Sequence, residues 1–434
     1  MVEPVPVPTE PDAPAQNARI DALKPGGALY AFSFPNFRLF FFGQLVSVAG
    51  TWMQNVAQQW LVYELTHSAV WLGIVAGSTA LPYVLFAFWG GSVADRFPRR
   101  SILLCTQSVA MVSALTLATL ATNRVVQIQA WHIAVFAGLA GIINAFNMPA
   151  QQAFVTQMVD DPKALGNAIG LNSLRFNFAR FLGPMFAGIT LVNLGAAWCF
   201  LLNGLSFIAV IISLSLMRVT QEKPEVKSGI TESPWEGARF LLGVPSLLRV
   251  IILIGGGGLL ILAVSTLYPV LASVYKGGAG GFSTLVTVNG IGATIGGIGI
   301  VTLGSRIHRR YLVYGGASLF CVALLCLSFS PTFIPALVCL FFAGIAMVVF
   351  TTSTNTKVQT EAPDELRGRV MAVYLLVANT SMPLGGLLLG FLAQRFQALP
   401  TIRLSAGIML AVTVGVWLWS GTDRTRRSLQ KTPA

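Results

Sequence analysis

Charge is scarce in this sequence. Asp, Glu, Lys and Arg make up 10% of its 434 residues, against about 25% in soluble domains, and the deficit excludes an ordinary water-soluble globule. Acid is scarcer than base, 16 residues against 28. No pair of carboxylates lies inside an apolar run, and neither a G-x-x-x-x-G-K-[ST] loop nor a G-x-S-x-G elbow occurs. ATP hydrolysis by the chain itself and serine or paired-acid chemistry therefore lose their basis. His67, His132 and His308 stand alone, without metal-ligand spacing. The five cysteines, Cys105, Cys199, Cys321, Cys326 and Cys339, lie in apolar runs with no C-x-x-C, as small core residues do. Neither an enzyme nor a metal or other cofactor is expected.

What is abundant is apolar. The chain is 54% hydrophobic with a mean hydropathy of +0.71. Twelve apolar runs follow one another at 39–65, 69–94, 101–121, 130–150, 166–194, 196–217, 249–273, 283–304, 311–329, 333–356, 369–394 and 401–420. Runs of about 20 residues reach across a ~30 Å hydrocarbon core as helices, so an all-α membrane protein with twelve spans is expected. The longest polar stretch, 218–249, divides the runs six and six. The expected organisation is a disordered tail at 1–34, a six-helix half at 35–218, a linker at 219–247, a second half at 248–421 and a tail at 422–434. From Trp235 the linker alternates apolar and basic residues and predicts an amphipathic helix on the membrane surface. Residues 1–30 lack the basic and apolar regions of a signal peptide.

Of the 28 Lys and Arg, 22 fall on one side of the spans, four (Arg124, Lys276, Arg395 and Arg403) on the other, and Arg175 and Arg180 inside a span. Basic residues collect on cytoplasmic loops, so both termini are expected in the cytoplasm of a multi-pass protein of the cell membrane. The formal net charge of +12 is then a topology signal, and nucleic-acid binding loses its support.

The halves repeat one another weakly. GGSVADRFPRR (90–100) has a degraded partner in GSRIHRR (304–310), QMVDDPKALGNA (157–168) in QTEAPDELRGRV (359–370), and LGPMFAG (182–188) in MPLGGLLLG (382–390). Internal repeats of this kind are common in secondary transporters.

These motifs resemble those of the major facilitator superfamily. Gly91-x-x-x-Asp95-Arg96-x-x-Arg99-Arg100 is similar to its loop 2–3 signature, with Pro98 where that pattern usually has Gly. Ala179-x-x-x-Gly183-Pro184-x-x-Ala187-Gly188 is similar to the helix-5 signature of its antiporter branch, with Ala at two Gly positions. NFRLFFFGQLVSVAGTWMQNVAQQWLVYELT (36–66) and DELRGRV (364–370) resemble the exporter group that includes enterobactin-type siderophore exporters. The resemblance covers nearly the whole chain after residue 35. It implies two six-helix halves related by pseudo-two-fold symmetry. It also implies proton-coupled export of small drug- or siderophore-like molecules by a monomer. In it Asp95 pairs with Arg96, Arg99, Arg100 and the start of span 11, holding the halves together on the cytoplasmic side in one state only. An importer of the same fold, or a lipid-moving or non-transporting membrane protein, is the alternative.

Small residues four apart recur in spans 2 (Gly73, Gly77), 5 (Ala179, Gly183, Ala187), 8 (Gly292, Gly296) and 11 (Gly386, Gly390). Such stripes let membrane helices approach closely, and the resemblance places these four spans at the interface of the halves. In span 1, Gln44, Ser47, Thr51, Asn55 and Gln58 share one arc of ~80°; they either line a substrate cavity or bond helix to helix. Asn144 and Asn147 of span 4 are candidates for the same space, and Trp52, Phe176 and Tyr374 suit an aromatic substrate. Arg175 and Arg180 lie ~140° apart around span 5, so one groove does not hold both. A guanidinium at membrane depth costs at least ~2.5–3.5 kcal/mol, so Arg180 requires compensation by an anionic substrate group or by carbonyls freed at Pro184. Glu64, near the outer end of span 1, is the one carboxylate within a span and hence the proton-carrier candidate.

Overall fold

The computed structural model describes residues 27, 29–122, 126–155, 157–159, 161–217, 234–304, 306–363 and 366–429. They form fourteen α-helices: α1 (Pro35–Thr66), α2 (Ala69–Arg96), α3 (Arg99–Ala121), α4 (Ala130–Val155), α5 (Pro162–Asn193), α6 (Ala196–Leu216), α7 (Pro234–Gly243), α8 (Pro245–Leu260), α9 (Tyr268–Val274), α10 (Gly278–Leu303), α11 (Arg309–Phe329), α12 (Phe333–Glu361), α13 (Arg367–Phe396) and α14 (Ala398–Leu429). Ten segments are long and apolar enough to cross a membrane, α8 and α9 counting together as one. The expected spans α1 and α5 are 32 residues each but fall outside those ten. Their amides and arginines lower the mean hydropathy.

The packing is doubled. In the first half α2 lies on α4, α1 on α5 and α6, and α3 on α6; in the second, α10 lies on α12, α8 on α13 and α14, and α11 on α14. The crossings of α2 with α4 and of α10 with α12 are both made by glycine. Gly141 faces the Thr79 carbonyl, and Gly344 faces that of Asn289, so closely that a Cβ would collide with backbone. Without the hydrophobic effect to drive helices together in lipid, close backbone approach supplies the attraction.

The halves meet along two seams, α2 with α13 and α5 with α10. Gly73 and Gly77 near the start of α2 face Gly386 and Leu387 near the end of α13, and Gly390 faces Ala69 and Val70. Gln394 Oε1 accepts from the Ala69 N–H at 3.1 Å. On the second seam the Ser283 hydroxyl donates to the Pro184 carbonyl, Gly188 faces Ser283 and Gly290 faces Arg180. Trp60 stacks on Phe282 with ring centroids 6.1 Å apart. Apart from Arg180 and Gly290 at mid-depth, these residues lie in the half of the bundle remote from the ends of α2, α4, α6 and α14. Toward the terminal end, Leu85 and Trp89 of α2, Ile298 and Val301 of α10 and Leu376 of α13 are exposed. The halves are thus closed against each other at the far end.

Three expectations are corrected. Gly292 and Gly296 face Phe341 and Ile345 of α12, within their own half, and Gly183 faces Ala49, Trp52 and Met53 of α1; a helix can carry two small faces, and four-residue spacing does not say which one meets the other half. Span 7 is interrupted. After Gly255–Gly258 the α-helix stops at Leu260, a 3-10 turn runs over Leu262–Leu267, and α9 begins beside Pro269, which has no N–H to continue the ladder. Finally, residues 29–34 are ordered, with a 3-10 helix at Tyr30–Ser33 docked on α5. There the Tyr30 hydroxyl donates to Asp161 Oδ2 at 2.7 Å and the Ala31 N–H to Asn167 Oδ1 at 2.9 Å, while Phe32 packs on Phe37, Phe41 and Phe42. The rest of the expected tail, 1–26 and 28, lies outside the described residues, as do residue 218, 219–233 of the linker and 430–434 of the C-terminal tail. The linker helix α7 packs on α13, with Gly237 against Arg369 and Leu241 buried.

Candidate functional site at the junction of the halves

Arg180 is where the halves come closest to sharing a charged group. It projects from α5 one turn before Pro184, which has no N–H to give the Arg180 carbonyl four positions earlier. The guanidinium donates from Nη2 to Met347 Sδ of α12 at 3.4 Å. It also sits over the Trp52 ring of α1, 5.6 Å from the centroid. Tyr268, at the start of α9, is buried and within electrostatic reach. Four helices from both halves thus surround one cation. Met347 is its only hydrogen-bond partner among the described residues, and it forms no ion pair among them. A thioether and a ring face compensate a charge only weakly; a cation over an aromatic ring gains roughly 0.5–2 kcal/mol. Partly buried Trp52 packs edge-on against Phe176, which is exposed, so the cation has an aromatic wall.

Arg175 is used differently. It is 3% exposed and turned into the first half, donating to Gln44 Oε1 at 3.3 Å and Asn172 Oδ1 at 2.7 Å, over the Phe40 ring. Its role is to bond α5 to α1. The ~140° separation of the two arginines is realised as two separate environments.

The amide arc of α1 divides in the same way. Gln44 is committed to Arg175, Thr51 donates to its own helix at the Ser47 carbonyl, and Gln54, outside the predicted arc, accepts from Asn203 of α6 at 2.7 Å. Gln58 is buried with its Nε2 unpartnered among the described residues. Asn55 and Asn144 are exposed. Asn147 accepts from Thr106 and Gln107 of α3 at 3.2 Å each and is therefore helix-to-helix bonding. Tyr374 is buried against Thr354 at 3.1 Å, inside the second half. Glu64 is exposed in the last turn of α1. Twelve residues separate it from Trp52, ~18 Å of helix, so it is not brought to Arg180.

At the terminal end, Asp95 and Arg96 are exposed, and Asp95 forms no ion pair among the described residues. Arg99 and Arg100 bond within their own half. Arg99 Nη1 donates to the Ala153 carbonyl of α4 at 2.9 Å, and Arg100 Nη2 to the Ser215 carbonyl of α6 at 2.7 Å. Each guanidinium sits on the negative end of a helix, where cations are favoured. In the degraded repeat the acceptors are hydroxyls instead: Arg309 donates to Thr360 Oγ1 of α12 at 2.5 Å, and Arg310 to Ser420 Oγ of α14 at 2.6 Å. The Arg-Arg pair ties the same two helices in each half.

Sequence reasoning missed Tyr268 and Met347. A Tyr-Pro step ten residues after a run of four glycines was the available sign of a broken membrane helix; nothing marked Met347.

A family profile described as transmembrane secretion effector matches residues 27–422. The chain belongs to the major facilitator superfamily. Its relatives include the staphyloferrin A transporter of Staphylococcus aureus (strain NCTC 8325), 26% identical over 393 residues that cover 87% of this chain and 94% of the relative. The multidrug efflux pump Tap of Mycolicibacterium fortuitum is 27% identical, covering 88% and 95%. The enterobactin exporter EntS of Escherichia coli O1:K1 is 24% identical, covering 92% and 94%. Among solved structures, the nucleoside transporter NupG matches with a TM-score of 0.65 at 14% identity, covering 88% of this chain and 98% of its own. A bacterial homolog to the human lysosomal transporter Spinster, in an inward-facing and unoccupied conformation, matches at 0.67 and 15%, covering 88% and 94%. This superfamily member is a multi-pass membrane transporter, and its relatives are transporters, not enzymes.

Proposed function

We propose that this transporter exports small amphiphilic anions, siderophore- or drug-like, across the cytoplasmic membrane by alternating access. The observation that carries this reading is Arg180: a cation held by residues of both halves, beside an aromatic wall and with no carboxylate partner among the described residues. A planar fork of donors matches a carboxylate or catecholate oxygen pair. The named relatives, a staphyloferrin A transporter, a multidrug efflux pump and an enterobactin exporter, support the substrate class. α1 and α5 complete twelve spans in this reading, and the skew of 22 basic residues against four puts both termini in the cytoplasm. The far-end contacts then close the outer side, Asp95 is a released latch, and the cavity is open to the cytoplasm for loading. Asn55, Asn144 and Gln58 line the path, and Glu64 carries the coupled proton in a monomer.

The test is accumulation in inverted membrane vesicles under an imposed proton gradient, with catecholate and carboxylate siderophores beside neutral dyes. Uptake of the anionic compounds, abolished by a proton uncoupler, is expected. No uptake of any anionic compound would contradict the proposal.

A further inference from the structure

A second cationic site lies far from the junction, at the terminal end of the second half. A cavity of about 360 Å³ opens between α8, α11, α12 and α14. Among the described residues Arg249, Arg310 and Lys357 line it with one acid, Glu361, which Lys357 pairs. Arg249 is only 9% exposed, and Arg310 Nε is buried without a hydrogen-bond partner among the described residues. The first turns of α8 and α11 both reach the cavity, at Pro245–Ser246 and at His308–Arg310. Among the described residues no side chain caps the start of α8, so the Ser246 N–H and the helix dipole add positive potential. Four sources of positive charge therefore converge on one hollow.

The rim says where the anion comes from. Arg249 sits over Trp419 and Arg310 over Trp417, with centroids 5.2 and 5.9 Å away, and both tryptophans are exposed, 38% and 46%. Exposed tryptophans near a span's end mark headgroup depth, and basic hollows between membrane helices on that side hold acidic headgroups. We propose that this cavity binds the phosphate of an anionic phospholipid from the adjacent leaflet. The phosphate lies among Arg249, Arg310 and Lys357, and the acyl chains run past exposed Trp417 beside Arg310. The cavity is separate from the junction of the halves, so this assignment stands whatever the transported substrate proves to be.

The experiment is lipid titration of the purified full-length transporter by native mass spectrometry, with phosphatidylglycerol and phosphatidylcholine as probes. Phosphatidylglycerol is expected to bind in preference. Lys357→Gln should weaken it by about fivefold, the worth of one basic residue at a headgroup, and Glu361→Gln should tighten it. The opposite signs separate binding from a folding defect, since both changes break the same ion pair. Equal binding of the two lipids, or loss in both variants, would overturn the proposal. Displacement of phosphatidylglycerol by millimolar inorganic phosphate would overturn the lipid assignment in favour of a soluble anion.

Discussion

Gly73→Ala puts one methyl group into the seam that closes the far end of the bundle. The new Cβ would stand 2.7 Å from the Gly386 carbonyl oxygen and 2.9 Å from Leu387 Cα. Carbon and oxygen approach without strain only to about 3.3 Å, and both neighbours are backbone, so α2 and α13 must separate by roughly half an ångström. Overpacking of this kind costs about 1–3 kcal/mol. The cost falls on the far-end-closed state alone, because in the alternative state the seam parts. The helix-propensity gain of alanine, about 1 kcal/mol, is common to both states and cancels. The equilibrium should therefore move ~5–150-fold away from the form described above. Gly77→Ala is the control: its Cβ would meet Leu387 Cδ1 at 3.1 Å, the tip of a flexible side chain that can turn aside. The readout is maleimide labelling of Asn144→Cys, added from the side of the termini after exposed Cys105 and Cys326 are replaced by serine. Labelling should fall in the Gly73 variant and stay near wild type in the Gly77 variant. Unchanged labelling at Gly73, or an equal fall at both, would refute the reasoning.

Other outcomes follow from the same contacts. Arg99→Ala and Arg309→Ala each remove a charged hydrogen bond to the last turn of a neighbouring helix, about 1.5–3 kcal/mol, so Tm should fall by similar amounts in each, as thermal unfolding in detergent would show. Asp95→Asn leaves an exposed site, so Tm should hold; if the latch closes in the other state, transport should fail and labelling of Asn144→Cys from the terminal side should rise. Its bond to Asp161 raises the Tyr30 phenol above the ordinary tyrosine pKa. The docking of residues 29–34 is therefore complete at neutral pH and lost as pH climbs through that raised value. Limited proteolysis should cut Tyr30→Phe faster at neutral pH, and wild type should become equally sensitive only at strongly alkaline pH.

Ten of the spans were legible because long apolar runs leave a chain few choices in a bilayer. Their ends ran short by a few residues where polar turns extend the helices, as in 333–356 against Phe333–Glu361. The break in span 7 was not legible, since glycine and proline are tolerated within membrane helices. The separation of Arg175 from Arg180 followed from helix periodicity, but Gln44 and Asn172 as the partners of Arg175 did not. The arginines of the 90–100 loop read as a gate because their helix-end acceptors, Ala153 and Ser215, lie 54 and 115 residues away. Only the fold joins them.

Arg180→Lys tests most directly whether the charge at the junction recognises the substrate. Lysine keeps the charge and loses the planar fork, so insertion and thermal stability should be preserved. Transport assays in inverted vesicles should show apparent affinity for anionic substrates weakened about tenfold or more, ~1.4 kcal/mol, with neutral substrates much less affected. Equal loss for anionic and neutral substrates would make Arg180 part of the scaffold and contradict the account.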